Sequence, residues 1–159
     1  MRVLAFDSGL ERTGYSVIDV ADKQETVVDY GCLQTTRGDS LESRLSSLHS
    51  QCKQLFEKYT PDEVVLEQLF FFKNQKTVIS VAQSQGVVIA IAGGMNAPVS
   101  FLTPMVIKQS VTGYGKADKK AVAKMVQLMT KIDTAGELDD TVDAIACGLT
   151  FCMMKKSNF

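Results

Sequence analysis

The chain has 159 residues, enough for one domain that buries about two thirds of the surface its unfolded form exposes. Its 45% hydrophobic and 22% charged content is that of a globular protein and excludes a disordered or low-complexity chain. The net charge of −1 excludes a uniformly basic protein, but it conceals a segregation taken up below.

Three strand candidates open the chain: Arg2–Asp7, Gly14–Val20 and Thr26–Gln34. The first is nearly all apolar, as a central strand covered on both faces would be. The short link Ser8–Thr13 predicts a hairpin between the first two. Asp39–Tyr59 reads as a helix, with Leu41, Leu45, Leu48, Cys52 and Leu55 on one face and Asp39 and Glu42 spaced as a capping box. His49 falls off that stripe and reads as a solvated helix residue rather than a catalyst. Thr60-Pro61-Asp62 ends the helix, and Glu63–Glu67 is a fourth strand. Lys76–Ala92 is a second helix, with Gly86 inside it for close packing. Val99–Leu102 is a fifth strand, and Thr103-Pro104 starts a short helix because proline suits the first helical turn. Thr112–Ala117 is a glycine-containing loop. Asp118 caps a helix over Lys119–Lys131, and Leu138–Met153 is the last helix. The order predicts one α/β domain over residues 1–159: a mixed five-stranded sheet, its first three strands antiparallel, flanked by helices.

No secretory signal peptide is expected at the N-terminus, and Val87–Met95 is too short to span a membrane. Cys32, Cys52, Cys147 and Cys152 lack metal-ligand spacing, which predicts free thiols in a reducing, cytoplasmic setting.

Residues 1–72 hold 7 basic and 12 acidic side chains, residues 73–131 hold 8 lysines against Asp118 alone, and residues 132–159 hold 2 lysines and 5 acids. A basic segment beside acidic ones suits a polyanion held over a metal site; a cationic solvated face is the simpler alternative.

Asp7 ends the first strand and Glu67 the fourth. Asp140 and Asp143, three residues apart, share a helix face in an apolar neighbourhood. Carboxylates are hard ligands suited to Mg²⁺ or Mn²⁺, and drawn together they would repel one another without a cation. Two such metals stabilise the attacking and leaving oxygens of a phosphoryl displacement, which makes a metal-dependent nuclease the first hypothesis. The competing reading of the last pair is an acidic first helical turn, which accounts better for Glu137 and Asp139 than for Asp143. Phe70-Phe71-Phe72 follows Glu67. Three consecutive aromatics cannot all face one core, so at least one is expected to be exposed, where it could stack on an unpaired base.

These features together resemble the RuvC-type Holliday-junction resolvases, from Arg2 to about Cys152. The stretches that carry the likeness are Asp7-Ser8-Gly9 with Thr13-Gly14-Tyr15, and Glu67-Gln68-Leu69-Phe70 with Lys73-Asn74. They continue through Gln83 and Gly86, Thr103-Pro104 with Val106 and Lys108, and Val111-Thr112-Gly113 with Gly115, Ala117 and Lys119, to Asp140 and Asp143-Ala144. The resemblance implies an RNase H-like fold and a homodimer. It implies a structure-selective endodeoxyribonuclease that resolves four-way DNA junctions in recombination and repair by paired nicks, leaving 5′ phosphate and 3′ hydroxyl ends. It assigns Asp7, Glu67, Asp140 and Asp143 as catalytic acids holding two Mg²⁺ or Mn²⁺ ions. The DNA-contacting set expected beside them is Phe70, Phe71, Lys73, Lys76, Lys108, Lys116, Lys119 and Lys120, with a branch-migration complex as a candidate partner. The chain departs from the family's usual pattern at Ser8 (proline), at Gln85 (arginine) and at Thr141-Val142 (two alanines), where bulk would let Asp139 share the role of Asp140. Other classes to weigh are a non-catalytic junction-binding protein, an RNase H-fold nuclease acting on other branched DNA or RNA, and a phosphotransferase of the sugar-kinase and actin-like class. The last would need a second domain.

Overall fold

The computed structural model describes residues 1–22, 24–69 and 75–156; of residues 75–77 it describes the backbone alone. The elements are β1 (Arg2–Asp7), β2 (Arg12–Ala21), β3 (Gln24–Gln34), α1 (Leu41–Tyr59), β4 (Glu63–Glu67), α2 (Gln75–Gly94), β5 (Val99–Leu102), α3 (Pro104–Thr112), α4 (Lys119–Thr130) and α5 (Asp139–Lys156). The sheet order is β3-β2-β1-β4-β5, with β1–β2 and β2–β3 antiparallel and β1–β4 and β4–β5 parallel. This is the mixed sheet that the strand pattern predicts, and β2 and β3 begin earlier than their apolar stretches do.

β1 explains the architecture. Val3, Leu4, Ala5 and Phe6 are fully buried, and the pleat sends them alternately to opposite faces. Val3 and Ala5 join Ile18, Val65 and the apolar residues of α3, α4 and α5 in one core. Leu4 and Phe6 join Val17, Val64, Leu66 and the buried faces of α1 and α2 in another. Each large apolar side chain so buried contributes about 1.5–3 kcal/mol, so a strand covered on both sides anchors both layers.

Local chemistry sets the helix ends. Thr103 accepts from Val106 N–H with Pro104 behind it, and Asp118 accepts from Ala121 N–H, as the sequence indicates. At α1 the capping box expected from Asp39 and Glu42 is not formed; Ser40 is the cap and accepts from Ser43 N–H. The α1 stripe also narrows, since Leu41 is exposed and Phe56 joins Leu48, Cys52 and Leu55 in the core. His49 is exposed, as expected.

Two glycines permit close approach. A Cβ on Gly14 would stand 1.8 Å from the Asp140 carbonyl oxygen, so β2 meets the start of α5 backbone to backbone. A Cβ on Gly148 would stand 2.8 Å from Ile18 Cδ1, and the same contact is pinned by Ser16 Oγ, which donates to the Ala144 carbonyl at 2.9 Å. Gly86 behaves otherwise: it is exposed and a Cβ there would meet nothing among the described residues, so it packs closely against none of them. All four cysteines are free thiols, three of them buried. No helix among the described residues is long and apolar enough to cross a membrane.

Candidate active site

β1 and β4 are parallel neighbours in register from Val3↔Glu63 to Phe6↔Leu66, so the next residue on each, Asp7 and Glu67, emerges at the same end of the sheet. Asp7 also pairs with Gly14 across β2, and Gly14 is the residue against which the Asp140 backbone rests. That chain of contacts brings the first turns of α5, with Asp140 and Asp143, to the strand ends. The acids fall around adjoining clefts. One, of about 280 Å³, is lined by Asp7, Ser8, Glu67, Gln85 and Pro104 among others. The next, of about 160 Å³, shares Glu67 and Pro104 and adds Lys108, Lys119 and Asp143.

The electrostatics follow from crowding acids in a half-dry place. Burial, and then the charges of Glu67, Asp143 and Asp140, push the Asp7 carboxyl up to about 8. Burial and the Asp143 charge push Glu67 up to about 7, with Lys108 and Lys119 acting in the other direction. Burial also raises Asp143, against the opposing pull of Lys119. Lys119 Nζ stands 3.2 Å from Asp143 and 3.6 Å from Asp139; burial works against its charge, but the acids together outweigh it and raise the ammonium above the ordinary lysine value.

Not every sequence-derived acid faces the same way. Asp140 turns to Arg12, whose Nε stands 2.9 Å from Oδ2, and lines a separate polar cleft with Arg12 and Arg44. Asp139 is largely exposed at the mouth of the site, beside Lys119. Among the described residues no three His, Cys, Asp or Glu side chains converge tightly enough to hold a cation as they stand. The donor chemistry nevertheless fits a hard divalent ion. Burial, and then the neighbouring carboxylates, push the half-buried Asp7 and Glu67 up, and a hard cation would offset the charge that burial disfavours. Beside them the buried hydroxyl of Ser8 has no hydrogen-bond partner among the described residues.

Of the expected DNA contacts, Lys108 and Lys119 line the acidic cleft, while Lys120 is exposed at the start of α4. Lys116 is exposed in the Gly113–Ala117 turn, beside a cavity of about 410 Å³ formed with Met105, Gln109 and Tyr114. Phe70, Phe71, Phe72 and Lys73 lie outside the described residues, as does the side chain of Lys76. The sequence reading missed Arg12 as a partner of Asp140. It also missed the contact of Gln85, whose side-chain amide donates to the Glu67 carbonyl at 2.7 Å. Neither partnership has a local signal, because each depends on which elements the fold sets side by side.

Comparison with known proteins gives consistent results. The family model for crossover junction endodeoxyribonuclease RuvC matches residues 3–151. The chain is 41% identical over 151 residues to the crossover junction endodeoxyribonuclease RuvC of Dictyoglomus thermophilum, covering 95% of this chain and 96% of that one. It is 39% identical over 150 residues to that of Fusobacterium nucleatum subsp. nucleatum, covering 94% of this chain and 79% of the relative. Among solved structures, Thermus thermophilus RuvC superposes with a TM-score of 0.89 at 25% identity, over 99% of this chain and 97% of that one. The fold is shared with T. thermophilus RuvC in complex with a Holliday junction substrate, at a TM-score of 0.91, 24% identity, and 99% and 96% coverage.

Proposed function

The chain belongs to the RuvC family of crossover junction endodeoxyribonucleases, and we propose that it resolves four-way (Holliday) DNA junctions by hydrolysing phosphodiester bonds. It is a nuclease with an RNase H-like fold, and its substrate is branched DNA. The observation that carries the assignment of the centre is the emergence of Asp7 and Glu67 from adjoining strand ends, with Asp143 of α5 across the shared cleft.

In this reading Asp7, Glu67, Asp143 and Asp140 would hold two divalent cations, Mg²⁺ or Mn²⁺, which would supply a hydroxide from bound water near neutral pH and charge stabilisation for the leaving 3′ oxygen. The protein's own groups do the rest. Asp7 and Glu67 present fixed oxygens from rigid strand ends. Lys119 and Lys108, on the cleft wall, face the non-bridging phosphate oxygens and offset charge that develops there. Asp140 leaves Arg12 to join the site. The lysines of residues 73–131 track the backbone of the DNA arms, and Phe70 and Phe71 wedge against unpaired bases at the crossover. The products carry 5′ phosphate and 3′ hydroxyl ends.

Resolution requires two cuts, hence two centres. α2 presents Ile79, Ala82, Gly86, Ile89, Ala90 and Gly93 to solvent at helical spacing, a strip of small and apolar residues on one face. That face suits a second copy of the chain related by a two-fold axis, and close helix approach gives Gly86 a purpose that packing against the described residues does not. We take residues 1–159 as one nuclease domain that works in the cytoplasm, with a branch-migration complex as a further partner.

The test is single-turnover cleavage of a synthetic four-way junction in Mg²⁺ and in Mn²⁺, beside flap, duplex and RNA–DNA hybrid substrates. Paired nicks in the junction alone, abolished by Asp7→Asn, are expected. Junction binding without cutting in either metal would overturn the enzymatic reading, and preference for the hybrid would overturn the substrate.

A further inference from the structure

We propose that Gln85 is a positioning residue for this reaction, holding the acid-bearing end of β4 from the helix behind it. Gln85 lies on α2, is 5% exposed, and donates its side-chain amide to the Glu67 carbonyl at 2.7 Å. Glu67 is the last residue of β4. Its strand is paired to β1 only as far as Leu66, so beyond that point β1 no longer sets the strand's direction. On the other edge Glu67 faces Leu102 of β5. Gln85 supplies a hydrogen bond where the ladder to β1 stops, one peptide from the carboxylate that matters. It bonds the backbone and not the carboxylate, so it fixes where Glu67 emerges while leaving the acid's charge free for a cation. A neutral amide also adds no positive charge to compete for the acids. Gln85 and Glu67 line the same cleft as Asp7, so a shift of one wall alters the spacing of both acids. The proposal rests on the reading that Glu67 holds a cation.

The experiment is a Mn²⁺ titration of the full chain without DNA, together with kcat and KM on a synthetic junction, for Gln85→Met, Gln85→Asn, Glu67→Gln and the double variant Gln85→Met/Glu67→Gln. All are compared well below their Tm. Gln85→Met keeps the volume and removes the donor; it is expected to weaken Mn²⁺ binding about tenfold and lower kcat by a similar factor, with KM for the junction unchanged. Gln85→Asn, one methylene short of the carbonyl, shows a loss in the same direction and serves if the methionine variant does not fold. In the double variant Gln85→Met adds no further loss to that of Glu67→Gln. Wild-type Mn²⁺ affinity and kcat with only a lowered Tm would leave Gln85 a packing residue and overturn the proposal. If Glu67→Gln weakens Mn²⁺ binding while both Gln85 variants bind normally, the proposal falls and the reading of Glu67 stands. If Glu67→Gln itself binds Mn²⁺ normally, both fall.

Discussion

Arg12 and Asp140 form an ion pair, with Arg12 Nε 2.9 Å from Asp140 Oδ2, on a cleft separate from those that Asp7, Glu67 and Asp143 line. A cation entering the site must compete with this guanidinium for the carboxylate. Arg12 is about half exposed, so the pair is worth ~1 kcal/mol or less. Arg12→Gln should therefore tighten Mn²⁺ binding by roughly threefold in a titration without DNA. Weaker Mn²⁺ binding by that variant would mean that Arg12 orients Asp140 for the cation and does not restrain it.

Lys119 stands among Asp143, Asp139 and the strand-end acids. Its ammonium relieves their repulsion in the free protein and is placed to meet phosphate charge in the complex. Lys119→Met should lower single-turnover cleavage by ~10²-fold at saturating junction, with a smaller effect on junction affinity. A loss confined to affinity would assign Lys119 to DNA tethering alone.

Asp7 and Glu67 set a pH dependence of stability. In the fold they titrate near 8 and 7, above their ordinary values of 3.8 and 4.5, so the folded state binds their protons more tightly than the unfolded chain does. The stability they contribute is fully present below about pH 4 and is lost as pH rises through 7 and 8. Metal-free protein should thus show a falling Tm between pH 5 and 9, relative to an Asp7→Asn variant whose curve is flatter. Mg²⁺ should restore most of the difference at the alkaline end. Scanning calorimetry across that range, with and without Mg²⁺, reads this directly; parallel curves for the two proteins would contradict it.

Gly14 ties the fold to the site. A methyl group there would overlap the Asp140 carbonyl at 1.8 Å, and neither backbone can yield without moving the other. Gly14→Ala should destabilise the protein by ~3 kcal/mol, seen as a Tm lower by roughly 10 °C. It should also reduce cleavage at least ~10²-fold below the new Tm, because α5 carries its acids outward. Wild-type cleavage by a folded Gly14→Ala protein would show that the start of α5 is not part of the centre.

How much of this the sequence discloses depends on range. β1 is legible because a strand buried on both faces must be continuously apolar, as Val3–Phe6 is. Asp7 and Glu67 stand out because each interrupts such a run at its end. The caps Thr103 and Asp118 are legible because capping is local chemistry. The cap of α1 is not, since Asp39 and Ser40 are both good caps and only the path of the chain selects Ser40. The partners Arg12–Asp140 and Gln85–Glu67 are invisible for a stronger reason: each joins elements far apart in the chain, and no periodicity encodes which side chains meet across them. Gly86 shows the opposite error. A glycine in a helix suggests packing, yet no described residue of the chain would meet a Cβ there, and the use proposed above for that surface is a second molecule.

That surface gives a further prediction. Ile89→Glu places a charge within the α2 strip, on an exposed side chain outside the residues that line the acidic clefts. Light scattering should find the variant at monomer mass where the wild-type chain is at dimer mass. Paired cutting of one junction should fall at least ~10-fold more than nicking of a single strand. A wild-type mass for Ile89→Glu would move the two-fold contact elsewhere.

The convergence of β1, β4 and α5 on one cutting centre is tested most directly by single-turnover junction cleavage with Asp143→Asn in Mg²⁺. Asp143 comes from the element most distant in sequence and is the residue that only the fold brings to Asp7 and Glu67. The expected result is cleavage reduced by ~10³-fold or more with junction binding retained within a few-fold. Cutting at the wild-type rate would separate α5 from the chemistry and contradict the account.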